Sequence, residues 1–235
     1  MVAVVAARKT NNNKEQWMLE TVEIETGASP DRAVIWLHGL GADGHDFEPV
    51  VPHLLWPGAP AIRFVFPHAE VRPVTINGGM SMRAWYDIVS IDGDRGHDAA
   101  GIERSMQQTR ELIAREVERG IAPERIVLAG FSQGGAIAVQ VALRHQPLLA
   151  GLMALSTYLL QPESLQSEAG GLTKVPAFVA HGQVDPVVPV AMGKAVANSL
   201  RELGCEVTWK TYPIPHSVSM DEIRDISSWL QARLG

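Results

Sequence analysis

The chain has a single cysteine, Cys205, in 235 residues. One thiol cannot close an internal disulfide, so the fold must rest on a hydrophobic core, and the count suits a reducing compartment. Cys205 reads as a packing residue at the start of "CEVTWKTY", since no histidine or cation beside it would activate the thiol. Basic runs are missing too. Lys and Arg total 20 against 26 Asp and Glu, a formal charge of −6. Nucleic acid is therefore not an expected partner, and an anionic membrane would find no polybasic anchor. Long apolar runs are also absent. "VAVVAA" at 2–7 lacks a preceding basic region and is too short for a secretory leader or a membrane span. A cytoplasmic protein with no membrane span is the expectation.

What is present suits a soluble globular chain: 46% of residues are apolar and 20% charged. The length fits one domain over 1–235, in which residues 1–20 are an extension without a motif. Short apolar runs alternate with longer helical stretches, the pattern of crossover units on a mostly parallel sheet. Strands are predicted at 21–26 (a half-buried edge), 33–37, 61–66, 125–130, 148–155, 175–182 and 206–212. Helices are predicted over 98–119, 133–145, 190–203 and 219–234. The first carries a stripe of Ile102, Met106, Ile113 and Val117, with Asp98 as its cap and Gly120 at its end. Residues 67–97 and 157–174 are too long for ordinary connections and read as functional loops. No gap has room for a separate lid domain.

"GFSQG" at 130–134 stands between the strand "RIVLA" and the helix "GAIAVQVAL", the context a G-x-S-x-G nucleophile elbow requires. Gly130 and Gly134 give clearance where strand and helix nearly touch, so that Ser132 can project its hydroxyl. A serine needs a base, and the base a carboxylate, in the chain order Ser, acid, His. Only His145, His181 and His216 follow Ser132. His145 falls on the following helix and His181 ends a strand, whereas His216 occupies the loop "YPIPHSVS" after the last strand. Asp185, in "VAHGQVDPVVP", is the best acid, with Glu163 and Glu168 as weaker alternatives. An oxyanion needs two N–H donors. The Gln133 amide would be one. The Leu40 amide, in the glycine-rich loop "VIWLHGLGADGHD", would be the other.

That loop also carries His38, Asp43, His45 and Asp46, but in no recognised zinc spacing, so no metal is expected and His38 reads as a brace. "DGDRGHD" at 92–98 has His97 where a calcium loop needs glycine, and reads as a turn leading into a helix.

"WLHGLGADG", "RPVTINGG", "AWYDI", "AGFSQGGAIA", "ALSTY", "HGQVDPVVP" and "AMGKA", collinear from about residue 33 onward, resemble the bacterial carboxylesterase branch of the phospholipase/carboxylesterase family, which is related to acyl-protein thioesterases and lysophospholipases. The resemblance implies an α/β-hydrolase fold: a mostly parallel central sheet with helices on both faces. It implies Ser132 as nucleophile, Asp185 as orienting acid, His216 as base, Leu40 and Gln133 amides as oxyanion hole, and no cofactor. Pro215 and Ser217 flank His216 where the family often has Gly and a residue such as Glu. A homodimer is compatible with it, although the residues do not show one. The expected activity is hydrolysis of short- to medium-chain carboxylic esters through an acyl-serine, the small-molecule ester being bound by Leu40, Ile76, Met80, Met82, Trp85, Val187 and Val188. Alternatives are acyl-protein thioesterase or lysophospholipase activity, or a hydrolase fold used only for binding.

Overall fold

The computed structural model describes residues 18–89, 98–162 and 174–235. The strands are β1 (Thr21–Glu25), β2 (Arg32–Leu37), β3 (Ile62–Pro67), β4 (Val71–Val74), β5 (Met80–Arg83), β6 (Ile126–Phe131), β7 (Gly151–Leu155), β8 (Ala177–Gly182) and β9 (Val207–Tyr212). The helices are α1 (Val51–Leu54), α2 (Ala99–Glu118), α3 (Gln133–Ala142), α4 (Val190–Glu202) and α5 (Met220–Leu234).

All seven apolar runs enter one sheet, in the order β1-β3-β2-β6-β7-β8-β9. β1 joins the edge antiparallel, Thr21 opposite Pro67, and every other neighbouring pair is parallel. Helices cover both faces, which is why β2, β3, β6, β7 and β8 read as largely apolar runs, while the edge strands β1 and β9 mix apolar and polar residues. Residues of β2 divide between the two faces. Ala33, Ile35 and Leu37 join a core with Ile102 and Ile113 of α2, Ile137 of α3 and Val196 of α4. Val34 and Trp36 join another with Leu54 of α1 and Ile226, Trp229 and Leu230 of α5.

Asp98 caps α2, its side chain accepting from the Gly101 amide. The helix buries Ile102, Met106 and Ile113, but Val117 is 41% exposed. Leu112 and Glu116 face inward instead, and the Glu116 carboxylate is taken by Arg63 (2.7 Å) and Arg119 (2.9 Å). α3 is buried along its whole length and ends at Ala142, short of the expected 145.

The 67–97 segment is not simply irregular. β4 and β5 pair antiparallel, Val71 opposite Arg83 and Val74 opposite Met80. A turn with Gly78 and Gly79 at φ 67° and 78° joins them. Residues 92–97 of the calcium-like stretch, and Glu163 and Glu168, lie outside the described residues. Among the described residues no helix is long and apolar enough to cross a membrane. Cys205 lies in the core, and burial pushes its thiol up to about 11.

Because β2, β6, β8 and β9 run parallel, their carboxyl ends share one edge of the sheet, where ligands bind in such folds. The residues next after these strands build the site.

Candidate active site

Ser132 follows β6 directly with φ 53° and ψ −121°. A non-glycine residue held there costs on the order of 1–3 kcal/mol, so its surroundings must fix it. The Ser132 amide donates to the Leu155 carbonyl (2.9 Å), and its carbonyl accepts from the Thr157 hydroxyl (2.6 Å) and the Ala136 amide (3.2 Å). The flanking glycines are sterically required. A Cβ on Gly130 would overlap the Gly134 carbonyl, and one on Gly134 would overlap the carbonyls of Leu37 and His38.

The Ser132 hydroxyl lies 2.9 Å from Nε2 of His216, and Nδ1 of His216 lies 2.6 Å from Oδ2 of Asp185. Residues drawn from the ends of β6, β8 and β9 thus form one hydrogen-bonded chain. The other carboxylate oxygen of Asp185 accepts from the Val187 and Val188 amides, both at 2.8 Å. Its acceptor capacity is filled from two directions, and the side chain has no freedom to turn. The Phe131 ring packs against the His216 imidazole, centroids 4.8 Å apart.

Sequence reasoning treated His181 only as a rival base; its place is beneath Asp185. It is fully buried, its Nε2 lying 2.8 Å from the Val188 carbonyl and 3.4 Å from Oδ2 of Asp185. Burial lowers its pKa, so the ring is neutral with the proton on Nε2. Among the described residues Nδ1 has no hydrogen-bond partner, and it faces Gly193 of α4, where any Cβ would overlap the ring. "HGQVDPVVP" and "AMGKA" meet here, a contact that spacing along the chain does not reveal.

The Leu40 amide belongs to the loop after β2, and among the described residues it has no hydrogen-bond acceptor. The Gln133 amide opens α3 and has no carbonyl four residues back within the helix. Both residues line the cavity that holds Ser132 and His216. The surrounding loop is tied down. The Gly41 amide donates to the Arg83 carbonyl (2.9 Å) and the Trp85 indole to the His38 carbonyl (2.8 Å). The buried His38 ring donates from Nδ1 to the Gly39 carbonyl (2.7 Å) and accepts the Ala69 amide at Nε2 (3.1 Å). Burial pushes the His38 pKa down to about 4, which keeps the ring neutral and able to do both.

The other polar residues of this loop diverge. Asp43 accepts from the His45 amide (2.8 Å), His45 pairs with Glu48 (2.7 Å), and Asp46 lines the cavity. Among the described residues no three His, Cys, Asp or Glu side chains are grouped to hold an ion.

The cavity measures about 400 Å³. Leu40, Ile76, Val187 and Val188 line it, but Met80, Met82 and Trp85 do not. Met80 is 65% exposed on β5, and Met82 lies beside Asn77 and the Gly41 backbone. Trp85 is wholly buried as scaffold, its amide donating to the side chain of Gln133 (2.9 Å). Its neighbour Tyr86 lines the cavity instead, hydroxyl to hydroxyl with Tyr158, together with Ile88, Leu159 and Met192. Trp85 and Tyr86 lie in a bend beyond β5, so no strand alternation marks which member of "WY" faces the cavity. The phenol, which needs a polar partner, was the available signal.

Residues 19–234 match the family model described as Phospholipase/Carboxylesterase. The chain is 37% identical over 213 residues to acyl-protein thioesterase 1 of Gibberella zeae, covering 86% of this chain and 90% of that protein. It is 39% identical over 213 residues to acyl-protein thioesterase 1 of Neurospora crassa, covering 86% of each. The crystal structure of Zea mays acyl-protein thioesterase 2 superposes with a TM-score of 0.79 at 26% identity, covering 92% of this chain and 99% of that one. These relatives are fungal and plant proteins, so they support the family as a whole and not its bacterial branch. With an α/β-hydrolase fold and a match spanning nearly all its length, the chain belongs to the phospholipase/carboxylesterase family of hydrolases.

Proposed function

We propose that the chain hydrolyses acyl thioesters, and carboxylic esters by the same route, through an acyl-serine intermediate on Ser132. The observation that carries this is the hydrogen-bonded chain from Asp185 through His216 to Ser132, facing a cavity bordered by two amides. Asp185 holds Nδ1 protonated, which leaves Nε2 as the base. Ser132 Oγ attacks the acyl carbon as Nε2 takes its proton, and the Leu40 and Gln133 amides receive the oxyanion. Collapse of the tetrahedral intermediate breaks the C–S or C–O bond, and the Nε2 proton goes to the departing thiolate or alkoxide. Water then attacks the acyl-serine by the same steps and releases the acid. Each oxyanion donor is worth about 3–4 kcal/mol of barrier in typical sites.

Similarity to two acyl-protein thioesterases favours thioesters, the alternative in the sequence reading, over the short- to medium-chain carboxylic esters that it put first. A cavity of about 400 Å³ lies toward the small end of ligand pockets and suits short to medium acyl chains. The test is a panel of thioesters and oxygen esters matched in acyl length, assayed with wild type and Ser132→Ala. The variant should lose about 10⁶ in kcat, and a serine-directed phosphonate should label Ser132 in the wild type. Near-normal turnover by a folded Ser132→Ala protein would refute the proposal. An unlabelled Ser132 and an inactive wild type would favour a binding protein.

A further inference from the structure

Among the described residues, the wall of the cavity carries one fixed charge. Apart from His216, its lining is apolar or neutral except for Asp46. The acids around the site are otherwise satisfied. Asp43 holds the His45 amide, Glu48 holds His45, Asp87 holds the amide and hydroxyl of Thr75, and Glu70 holds Arg72 and Arg104. Asp46 has no such partner among the described residues. Desolvation at the cavity wall raises its pKa, and the like charge of Asp43 adds to this. Asp46 is exposed at the mouth of the cavity, and an anion there with no counter-ion among the described residues gains from a cation brought to it.

Its position shows which part of a substrate would meet it. Phe47, the next residue, stacks on Trp36 (4.7 Å between centroids) and lies 5.7 Å from Phe131, whose ring packs on His216. This aromatic row links the residue after Asp46 to His216, the group that hands a proton to the leaving group, and Asp46 and His216 line the same cavity. The exposed Ile76 and Val187 share that cavity with it, while the buried Tyr86 and Val188 form deeper wall.

Resting on the acyl-transfer reading above, we infer that Asp46 is a specificity-determining residue that selects thioesters and esters whose thiol or alcohol part carries an ammonium group. The cation meets the carboxylate at the partly exposed rim while the acyl chain occupies the apolar interior. At such a rim the attraction is screened by water and salt, so the discrimination is modest, about tenfold at low ionic strength.

The experiment compares butyrylthiocholine with S-(3,3-dimethylbutyl) thiobutyrate, which has the same shape with carbon in place of the quaternary nitrogen. The readout is the ratio of the two kcat/KM values. Wild type should favour the cation about tenfold at 20 mM salt, and the ratio should approach one at 500 mM. Asp46→Asn should bring it to about one at both salt levels, and Asp46→Lys should invert it. A wild-type ratio of one, or a preference that persists in Asp46→Asn, overturns the assignment of Asp46 while leaving acyl transfer intact. If wild type cleaves neither substrate faster than Ser132→Ala does, the acyl-transfer reading falls and this inference with it. Should either variant fail to fold, the salt dependence of the wild-type ratio decides, since a preference insensitive to salt refutes the charge.

Discussion

Glu222 stands in the first turn of α5, immediately beyond the loop that carries His216, and it is fully buried. Neither carboxylate oxygen has a hydrogen-bond donor among the described residues. Burial, with a smaller contribution from Asp225, pushes its pKa from 4.5 up to about 8; the Ser219 amide opposes this without closing a hydrogen bond. Between these two values the folded protein holds a proton that the unfolded chain has lost, so stability falls as pH rises, by up to about 1.4 kcal/mol per pH unit. From pH 5.5 to 7.5 the loss is about 2.5 kcal/mol. Glu222→Gln keeps the shape and removes the titration. Its stability relative to wild type should therefore climb by about that amount across the interval, whatever the constant offset from burying an amide. In melting temperature this is about 5–10 °C for a chain of this size. His38, depressed from 6.5 to about 4, acts in the opposite sense, since the unfolded chain binds its proton first as pH falls below 6.5. It does so in both proteins and cancels in the difference. Urea unfolding followed by circular dichroism at pH 5.5, 6.5, 7.5 and 8.5 measures the effect. A difference constant to within about 0.5 kcal/mol over that range would show that Glu222 ionises normally in the fold.

Asp185→Asn should lower kcat by about 10⁴, as loss of the tautomer-fixing carboxylate does in serine hydrolases. The Val187 and Val188 amides would claim the one remaining oxygen and leave the NH₂ group facing His216. Nδ1 must then accept, which puts the proton on Nε2 and removes the base; a loss under tenfold in an ester assay would contradict this orientation. Gly193→Ala should destabilise the protein by about 1–3 kcal/mol through overpacking against His181. It should also cut kcat/KM at least about tenfold, because His181 holds the Val188 carbonyl and stands beside Asp185. A melting curve and a turnover assay on the same preparation decide the point, and reduced stability with full activity would mean that His181 only fills space.

What the sequence made legible follows from burial. β2, β3, β6, β7 and β8 are covered on both faces, so each shows an apolar run, broken in β3 by Arg63, which is buried and paired with Glu25 and Glu116. The β4–β5 hairpin has no such signature. Val71 and Met80 are 62% and 65% exposed, and Pro73 stands within β4, so its pairing rests on backbone geometry that composition does not encode. The GFSQG motif marked Ser132, and chain order together with position after a strand favoured Asp185 and His216; the three meet because parallel strands bring their following loops to one edge whatever the distance along the chain.

Order along the chain says nothing about which way a side chain turns, and the pocket wall depends on that. Trp85 is the larger and more apolar member of its pair, and for that reason it went into the scaffold, where its indole and amide hold His38 and Gln133 in place. Tyr86 and Tyr158 meet at the cavity because each phenol supplies the partner the other needs. The same limit hid His181 and Gly193, since a glycine that exists to admit an imidazole is intelligible only once both sides of the contact are known. Strand ends therefore locate the hydrogen-bonded Ser132, His216 and Asp185, whereas the wall of the cavity is set by contacts between segments, and the place of Asp46 in that wall belongs to the second kind of information.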